Sequence, residues 1–573
     1  MEDLFLIKDI PELSAKKFGS KIALQMKSGY TFRSITYEQL DDMTKKIAEY
    51  LLHLGIKKGE SFAVLGENRP EWAISYLSVA RTGAYVIPVD SMLKEKEIKL
   101  ILHYIKAKGI FVSPRYLDLI NEIKDSLPEL KHVISMDEAE HTHETPFYFA
   151  LDEGKKLLEK GSHKYRDVKM SLDDPYVIIF TSGTTGQSKG VMLTSKNISY
   201  DIIYSTKLIE VKENDRFISV LPLHHTFEAT AGFLLPLYNG CTITYARSLK
   251  PNEILEDIKD SQSTILLGVP LLFEKIILGI KREIKKSLIT NTIVNGMLAI
   301  EKGSKFLLNI KLGNPIFKTL REKSGLSTIR LMISGGAALK PEVAESFESF
   351  GFLLVQGYGL TETSPVVSVN PLHKYKHRSI GVPIEGVEVQ IDNPNENGEG
   401  EIKVRGPIVM KGYYNNQAAT DAVIKDGWFY TGDIGYIDKE GYIYISGRKK
   451  SIIVTEAGKN VYPEEIEEML GESELIEEVL VLSVINKKSG REEVGAIIYP
   501  NPELIENVMK KNLSEEEGDK ELKEIIGKEI ARICENLADY KRVKKFDIRY
   551  EEFPKTTTKK IKRYLFNNYT ISD

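Results

Sequence analysis

The chain predicts an α/β protein. It reads as a large N-terminal domain of parallel and mixed sheets covered by helices, with a β-rich subdomain, followed by a smaller, mobile α+β domain. Three observations predict this. Short apolar runs alternate with helix-spaced segments through the first part of the 573 residues, a rhythm that builds parallel sheets. From Val382 the texture turns to short strands separated by Gly and Asn turns, as in Asn395-Glu396-Asn397-Gly398-Glu399-Gly400. After Gly447-Arg448-Lys449-Lys450 a fresh strand, Ile452-Ile453-Val454, precedes a helix opening at Pro463-Glu464-Glu465, and charge density rises. Proline and acids suit a first helical turn. The division falls between domains 1–447 and 448–573.

Taken in order, Tyr37 to Leu54 has helical spacing, with Leu40, Met43, Ile47, Leu51 and Leu54 on one face. Ser61 to Gly66 is a strand, Trp72 to Arg81 a helix, and Gly83 to Val89 another strand. Strands recur at Tyr176–Phe180, Phe217–Leu221, Thr242–Tyr245, Thr264–Gly268 and Ile329–Ser334. Between Leu271 and Thr328 the chain is helical and basic, with Lys275, Lys281, Arg282, Lys285 and Lys286 among its cations. Two readings stand for that stretch: solvated outer helices, or a surface resting on anionic lipid head groups.

A net charge of −4 excludes the strongly basic character of a nucleic-acid binder. Cys241 and Cys534 lie far apart and make no metal or redox spacing, which fits a reducing cytoplasm. Acids come early at the N-terminus, without a signal-peptide core. No apolar run reaches the roughly 18–20 residues of a spanning helix, so any membrane contact is expected to be peripheral, at the inner face.

Five clusters carry chemistry. The first is Thr181-Ser182-Gly183-Thr184-Thr185-Gly186-Gln187-Ser188-Lys189-Gly190, directly after a strand. Its hydroxyls and backbone N–H groups suit polyphosphate oxygens, its glycines allow close approach, and Lys189 adds charge. It is not a P-loop, because Gly190 stands where Ser or Thr would follow the lysine. The second, Ser334-Gly335-Gly336-Ala337, ends a strand in small residues that leave room for a ring. The third, Gln356-Gly357-Tyr358-Gly359-Leu360-Thr361-Glu362, joins an aromatic face to a carboxylate suited to Mg2+. The fourth holds Asp433, and the last runs from Pro554 through Lys560 to Arg563. Each has a structural reading by itself: Tyr358 as core, Asp433 closing a turn, Lys560 in a solvated tail. Together they form a toolkit for a nucleotide.

In that order the clusters resemble the adenylate-forming superfamily of acyl-CoA synthetases, firefly luciferase and nonribosomal adenylation domains, over nearly the whole chain. Tyr358-Gly359-Leu360-Thr361-Glu362 and Gly458-Lys459-Asn460-Val461-Tyr462-Pro463-Glu464-Glu465 are similar to the bacterial long-chain fatty-acid branch, and Glu67-Asn68-Arg69-Pro70-Glu71-Trp72 is a further family-like phrase. The resemblance implies an ATP-dependent, AMP-forming ligase that joins a medium- to long-chain fatty acid to CoA. It implies that Thr181 and Glu362 bind Mg2+, with Ser182, Gly183, Thr184, Thr185, Gly186 and Lys189 around the phosphates of ATP. Gly335, Gly336, Ala337, Gly357, Tyr358 and Gly359 would frame adenine, and Thr361 would touch the α-phosphate. Asp433 and Arg448 would hold ribose, and Lys560 would reach the carboxylate and the α-phosphate. His225 would lie beside the acyl pocket, Lys450 at a hinge, and Gly458 beside the pantetheine of CoA.

Some positions depart from the family pattern. Ser188 stands in place of a usual proline, and Lys559 in place of the glycine before the catalytic lysine, so Lys560 is assigned by its spacing to Pro554 and Arg563. The tryptophan gate of some long-chain enzymes is replaced by Thr226-Phe227-Glu228-Ala229. His224, His225 and Glu228 lack a further ligand at zinc-like spacing. Two alternatives remain open at this level: transfer to an acyl carrier protein, and an inactive lipid-binding homologue.

Overall fold

The computed structural model describes residues 4–137, 145–181, 188–286, 294, 296–297, 317–454, 460–485, 492–511, 514–535, 537–556, 560–566, 569 and 571. It divides into two compact units. One is drawn from Met1–Gly183, Gln187–Glu388 and Val404–Phe429, the other from Val389–Lys403 and Tyr430–Asp573. The 447/448 division read from the sequence falls inside the second unit.

Two sheets dominate the first unit. One runs Gly412–Tyr413, Lys189–Thr194, Pro175–Thr181, Tyr85–Pro88, Ser61–Leu65, Gly109–Val112, His132–Ser135 and Thr145–Pro146 in spatial order. Ser61–Leu65 is buried at every position, which is why it lacks alternation: a central parallel strand is covered on both faces. The other sheet places Leu354–Gly359, Leu331–Ser334, Ile265–Gly268, Arg216–Ser219 and Thr242–Tyr245 side by side, all parallel. Their C-terminal ends therefore share one edge, the edge where such sheets take ligands.

The helices follow their local signals. Tyr37–His53 opens with a capping box, Thr36 accepting from Gln39 N while the Gln39 side chain returns to Thr36 N. Pro70–Thr82 begins two residues before the Trp72 start read from periodicity, because Pro70 fills N1 after an extended Arg69. Every residue of that helix is buried, so it shows no polar face to read. In the basic stretch, helices cover Pro270–Lys285 and Lys318–Lys323; residues 287–293, 295 and 298–316 lie outside the described residues. Among the described residues no helix is long and apolar enough to cross a membrane.

In the second unit Trp428–Ile437 pairs antiparallel with Ile443–Arg448. A three-stranded sheet of Ile476–Ile485, Glu492–Pro500 and Lys545–Ile548 follows. Its apolar face packs on the helices Pro463–Leu470 and Glu515–Cys534 through Ile466, Leu470, Val481, Ala496, Ile526 and Ile530.

Candidate active site

Pro175–Thr181 and Lys189–Thr194 are antiparallel neighbours, with Thr181 opposite Lys189 at the mouth of the glycine loop. Ser182, Gly183, Thr184, Thr185 and Gly186 lie outside the described residues. A third short strand, Gly412–Tyr413, places Tyr413 opposite Val191. The Tyr413 hydroxyl donates to Glu362 Oε1 at 2.9 Å, and Lys189 Nζ stands 4.9 Å from the centre of the same ring. Burial, then the Glu362 charge, push the phenol's pKa up, so it stays a donor. Glu362 sits in the turn Thr361–Thr363, and its carbonyl accepts from Met410 N at 2.8 Å. The Thr181 hydroxyl and the Glu362 carboxylate are oxygen donors, the kind of ligand Mg2+ shares with substrate phosphates.

A second group lies on the ends of two parallel strands. Ser334 is opposite Gln356, so Gly335, Gly336 and Ala337 leave one strand end while Gly357 and Tyr358 continue the next. Gln356 Oε1 accepts from Leu339 N at 2.8 Å and ties the two together. Gly359 leads into Thr361, and a Cβ there would stand 1.7 Å from the Pro365 carbonyl oxygen. Only glycine fits that approach.

His225 is half-buried in the segment after Arg216–Ser219. One carboxamide holds this segment: Asn68 Nδ2 donates to Ser219 Oγ at 2.9 Å and to the Leu221 carbonyl at 2.6 Å. Asn68 Oδ1 accepts from Leu223 N at 3.0 Å. Beside it, His224 Nε2 approaches Asp90 Oδ1 at 3.3 Å. Burial pulls the His224 pKa down against that carboxylate.

In the second unit, Asp433 is opposite Arg448 across the strand pair, and Arg448 Nε lies 2.8 Å from Asp433 Oδ1. Lys560 keeps solvent contact as a whole residue. Dense packing around its ammonium, then the positive Arg448, still lower its pKa to about 8, against the opposing pull of Asp433. Thr556 N donates to the Lys560 carbonyl at 2.8 Å, Lys560 N to Thr556 Oγ1 at 3.1 Å, and Lys562 N to the Pro554 carbonyl at 2.8 Å. Arg563 pairs with Glu467 and donates to the Val481 carbonyl at 2.9 Å. Lys450 is exposed in the turn Lys449–Ser451; Gly458 and Lys559 lie outside the described residues.

Sequence reasoning missed Tyr413, which joins Lys189 to Glu362. The available signal was a Gly412-Tyr413-Tyr414 phrase in a short strand. It also missed Glu401, which accepts from Gly432 N at 3.1 Å and from Lys449 Nζ at 2.6 Å on either side of the Asp433–Arg448 pair.

The family profile described as AMP-binding enzyme matches residues 12–414. The chain is 31% identical to the chloroplastic long-chain-fatty-acid–[acyl-carrier-protein] ligase AEE15 of Arabidopsis thaliana, over 88% of this chain and 77% of that one. It is 30% identical to a long-chain-fatty-acid–CoA ligase of Bacillus subtilis, over 96% and 92%. Among solved structures, the anthranilate CoA ligase AuaEII in complex with anthranoyl-AMP shares the fold with a TM-score of 0.77 at 21% identity, covering 99% of this chain and 97% of that one. With motifs, fold and profile in agreement over most of its length, the chain belongs to the AMP-binding enzyme family of adenylate-forming ligases.

Proposed function

We propose that the protein activates a medium- to long-chain fatty acid with ATP and passes the acyl group to CoA, releasing AMP and pyrophosphate. The Lys189–Tyr413–Glu362 chain beside Thr181 is the observation that carries this reading: it sets a cation and a carboxylate around the mouth of a phosphate-type loop. A free carboxylate is a poor acyl donor, since its leaving group would be oxide. Attack of a carboxylate oxygen on the α-phosphorus of ATP expels pyrophosphate and gives an acyl-adenylate, from which AMP departs when a thiol attacks.

Negative charge accumulates around phosphorus, so catalysis is chiefly positioning and fixed positive charge. Ser182, Gly183, Thr184, Thr185, Gly186 and Lys189 take the outer phosphates in this reading. Gly335, Gly336, Ala337, Gly357, Tyr358 and Gly359 frame adenine, and Thr361 meets the α-phosphate. Asp433 accepts from ribose hydroxyls, Arg448 orients it, and Lys560 brings its ammonium to the α-phosphate and the attacking carboxylate. Thr181 and Glu362 would hold Mg2+, which would supply positive charge against the phosphate oxygens. His225 borders the acyl chain. A small domain, 448–573, turning about Lys450 would then present Gly458 to the pantetheine of CoA.

A second acceptor has its own support. The Arabidopsis relative is named for transfer to an acyl carrier protein, and the cations along Pro270–Lys285 suit an acidic carrier. The same cations suit an anionic lipid surface, and with it a cytoplasmic enzyme peripheral at the inner face of the membrane. AMP and pyrophosphate release across a panel from acetate to long-chain acids, with CoA or carrier protein present, tests the reading. Release with fatty acids and a CoA thioester are expected. Release with no acid at all removes the ligase reading, and thioester on carrier protein alone replaces CoA.

A further inference from the structure

The turn that carries Glu362 is held by three other segments of the first unit. The Glu362 carbonyl accepts from Met410 N at 2.8 Å, and Ser364 Oγ donates to the Ile408 carbonyl at 2.7 Å. Thr230 Oγ1 donates to the Ser364 carbonyl at 3.0 Å. Val366 N, at the start of the strand Val366–Val369, donates to Asp201 Oδ2 at 3.0 Å. The segment through Ile408 and Met410 is fixed in turn by one carboxamide. Asn197 Nδ2 donates to the Pro407 carbonyl at 2.7 Å and to the Val409 carbonyl at 2.9 Å, on either side of Ile408.

Asn197 and Asp201 stand on the same helix, Ser195–Ile209, which begins directly after the strand Lys189–Thr194. Four residues apart, they share one face, a turn from each other. Both are buried. Asn197 also closes the start of the helix: its Oδ1 accepts from Thr194 N at 2.8 Å, and its N donates to Thr194 Oγ1 at 3.2 Å. The oxygen of this side chain thus caps its own helix, while the nitrogen grips a distant segment. The two jobs are chemically separable. Asp201 supplies an acceptor to a main-chain N–H that would otherwise be left unpaired by its loss, and an orphaned donor of that kind is costly.

The gripped segment reaches Lys189 as well. Lys411 N donates to the Met192 carbonyl at 3.0 Å, and Tyr414 N to the Gly190 carbonyl at 2.7 Å. Residues 407–414 are therefore bonded both to the strand that carries Lys189 and to the helix that follows it. Glu362 is bonded to the same residues twice, by its carbonyl to Met410 N and by its carboxylate to the Tyr413 hydroxyl. A displacement of ~1 Å at such a group can cost about 10²-fold in rate.

We propose that Asn197 and Asp201 are positioning residues for the Glu362 carboxylate: from one helix face they clamp the two stretches of backbone, around Ile408 and Val366, that hold its turn, and so set its affinity for a metal ion. This inference rests on the ligase reading, in which Glu362 would hold Mg2+.

The experiment titrates Mn2+ in the presence of α,β-methylene-ATP and follows the paramagnetic resonance signal of free Mn2+, with AMP binding by calorimetry as the measure of a folded site. Asn197→Asp keeps the capping oxygen but cannot donate to the two carbonyls, and Asp201→Leu removes the acceptor of Val366 N. Each should weaken Mn2+ by ~10-fold, the scale of one or two lost bonds, with AMP affinity within about two-fold of wild type. Asn197→Ser, shorter and uncharged, should show the same loss if Asn197→Asp does not fold. Asp201→Asn still offers an acceptor and should restore most of the affinity. Tyr200→Phe is the control on this helix. It removes a bond to the Glu385 carbonyl, 3.0 Å long, which does not touch the Glu362 turn, so Tm should fall with Mn2+ affinity unchanged. Wild-type Mn2+ affinity in the Asn197 and Asp201 variants, with AMP still bound, overturns the inference and leaves the ligase reading standing. An equal loss in Tyr200→Phe overturns it too, as general loosening of the helix. A wild type that binds neither AMP nor Mn2+ with the analogue removes the ligase reading, and this inference with it.

Discussion

Glu228 in the first unit and Glu467 in the second are both buried acids raised by burial, to about 8 and about 7. Their neighbours differ. Glu467 accepts from Val481 N at 2.6 Å and pairs with Arg563, whose charge works against the burial. Glu228 is bonded to the neutral Ser219 hydroxyl, with no cation to offset its burial among the described residues. A buried acid paired with a cation holds backbone in place, and here it holds Val481, midway along the strand Ile476–Ile485, to a segment whose Lys560 lies three residues from Arg563. An acid held only by a neutral hydroxyl has no opposite charge to set against its burial, so it keeps its proton near neutral pH.

The largest expected effect tests the lysine that the paired acid supports. Lys560→Ala should slow adenylation by at least ~10²-fold, the scale for losing one preorganised charge donor. Pyrophosphate exchange measures it, and an unaffected exchange rate takes Lys560 out of the first step. The pH profile sharpens the assignment. Because the Lys560 pKa is lowered to about 8, kcat/KM for adenylation should fall as pH rises through about 8 and the ammonium loses its proton. Lys560→Arg keeps its charge there, so a fall that persists in this variant takes the titration away from Lys560.

Arg563→Ala breaks the partnered side of the comparison. It should lower adenylation kcat by ~10-fold or more with little change in KM for ATP, since displaced catalytic groups cost rate. Stability should drop by about 1–3 kcal/mol from the stranded Glu467, and Arg563→Lys should restore part of both. A melting loss with kcat unchanged would reduce the pair to scaffolding. Glu362 is an intermediate case, a carboxylate held by a phenol instead of a cation. Tyr413→Phe should cost about five-fold in adenylation, from roughly 1 kcal/mol for one hydrogen bond; no change in rate would dismiss Tyr413 as a link.

The smallest effect concerns the acid without a cation. With its pKa raised from 4.5 to about 8 in the folded protein, Glu228 binds a proton that the unfolded chain releases. Its contribution to stability is therefore complete below pH 4.5 and lost progressively as pH rises towards about 8. Glu228→Gln lacks that dependence. The wild-type drop in Tm between pH 5 and pH 8 should shrink by a few degrees in this variant; identical drops would mean that the acid does not titrate as a buried group.

Much of the scaffold was legible because it is local. Apolar runs such as Thr242–Tyr245, which coincides with an observed strand, carry their own signal, as does the helix Tyr37–His53. The strand end before Gly335-Gly336-Ala337 was legible for the same reason, since strand and small residues lie in one phrase. What escaped are partners far apart in the chain. Tyr413 and Glu362 meet only because Gly412–Tyr413 adds to the edge of Lys189–Thr194. Glu228 reads as a mere departure from a gate motif, since its burial depends on packing near Arg216–Ser219 and Thr242–Tyr245. The grouping of Tyr430–Arg448 with the C-terminal part was equally hidden, being set by contacts across the fold.

Asn68 follows a strand of one large sheet, while Ser219 ends a strand of the other and Leu221 and Leu223 follow it. A single amide thus acts as a rivet between the two layers of the first unit. Any remodelling of the segment through Leu223 must either work around that rivet or disturb the layer that carries the strands Pro175–Thr181 and Lys189–Thr194. Two layers of one unit are thus mechanically joined at one side chain.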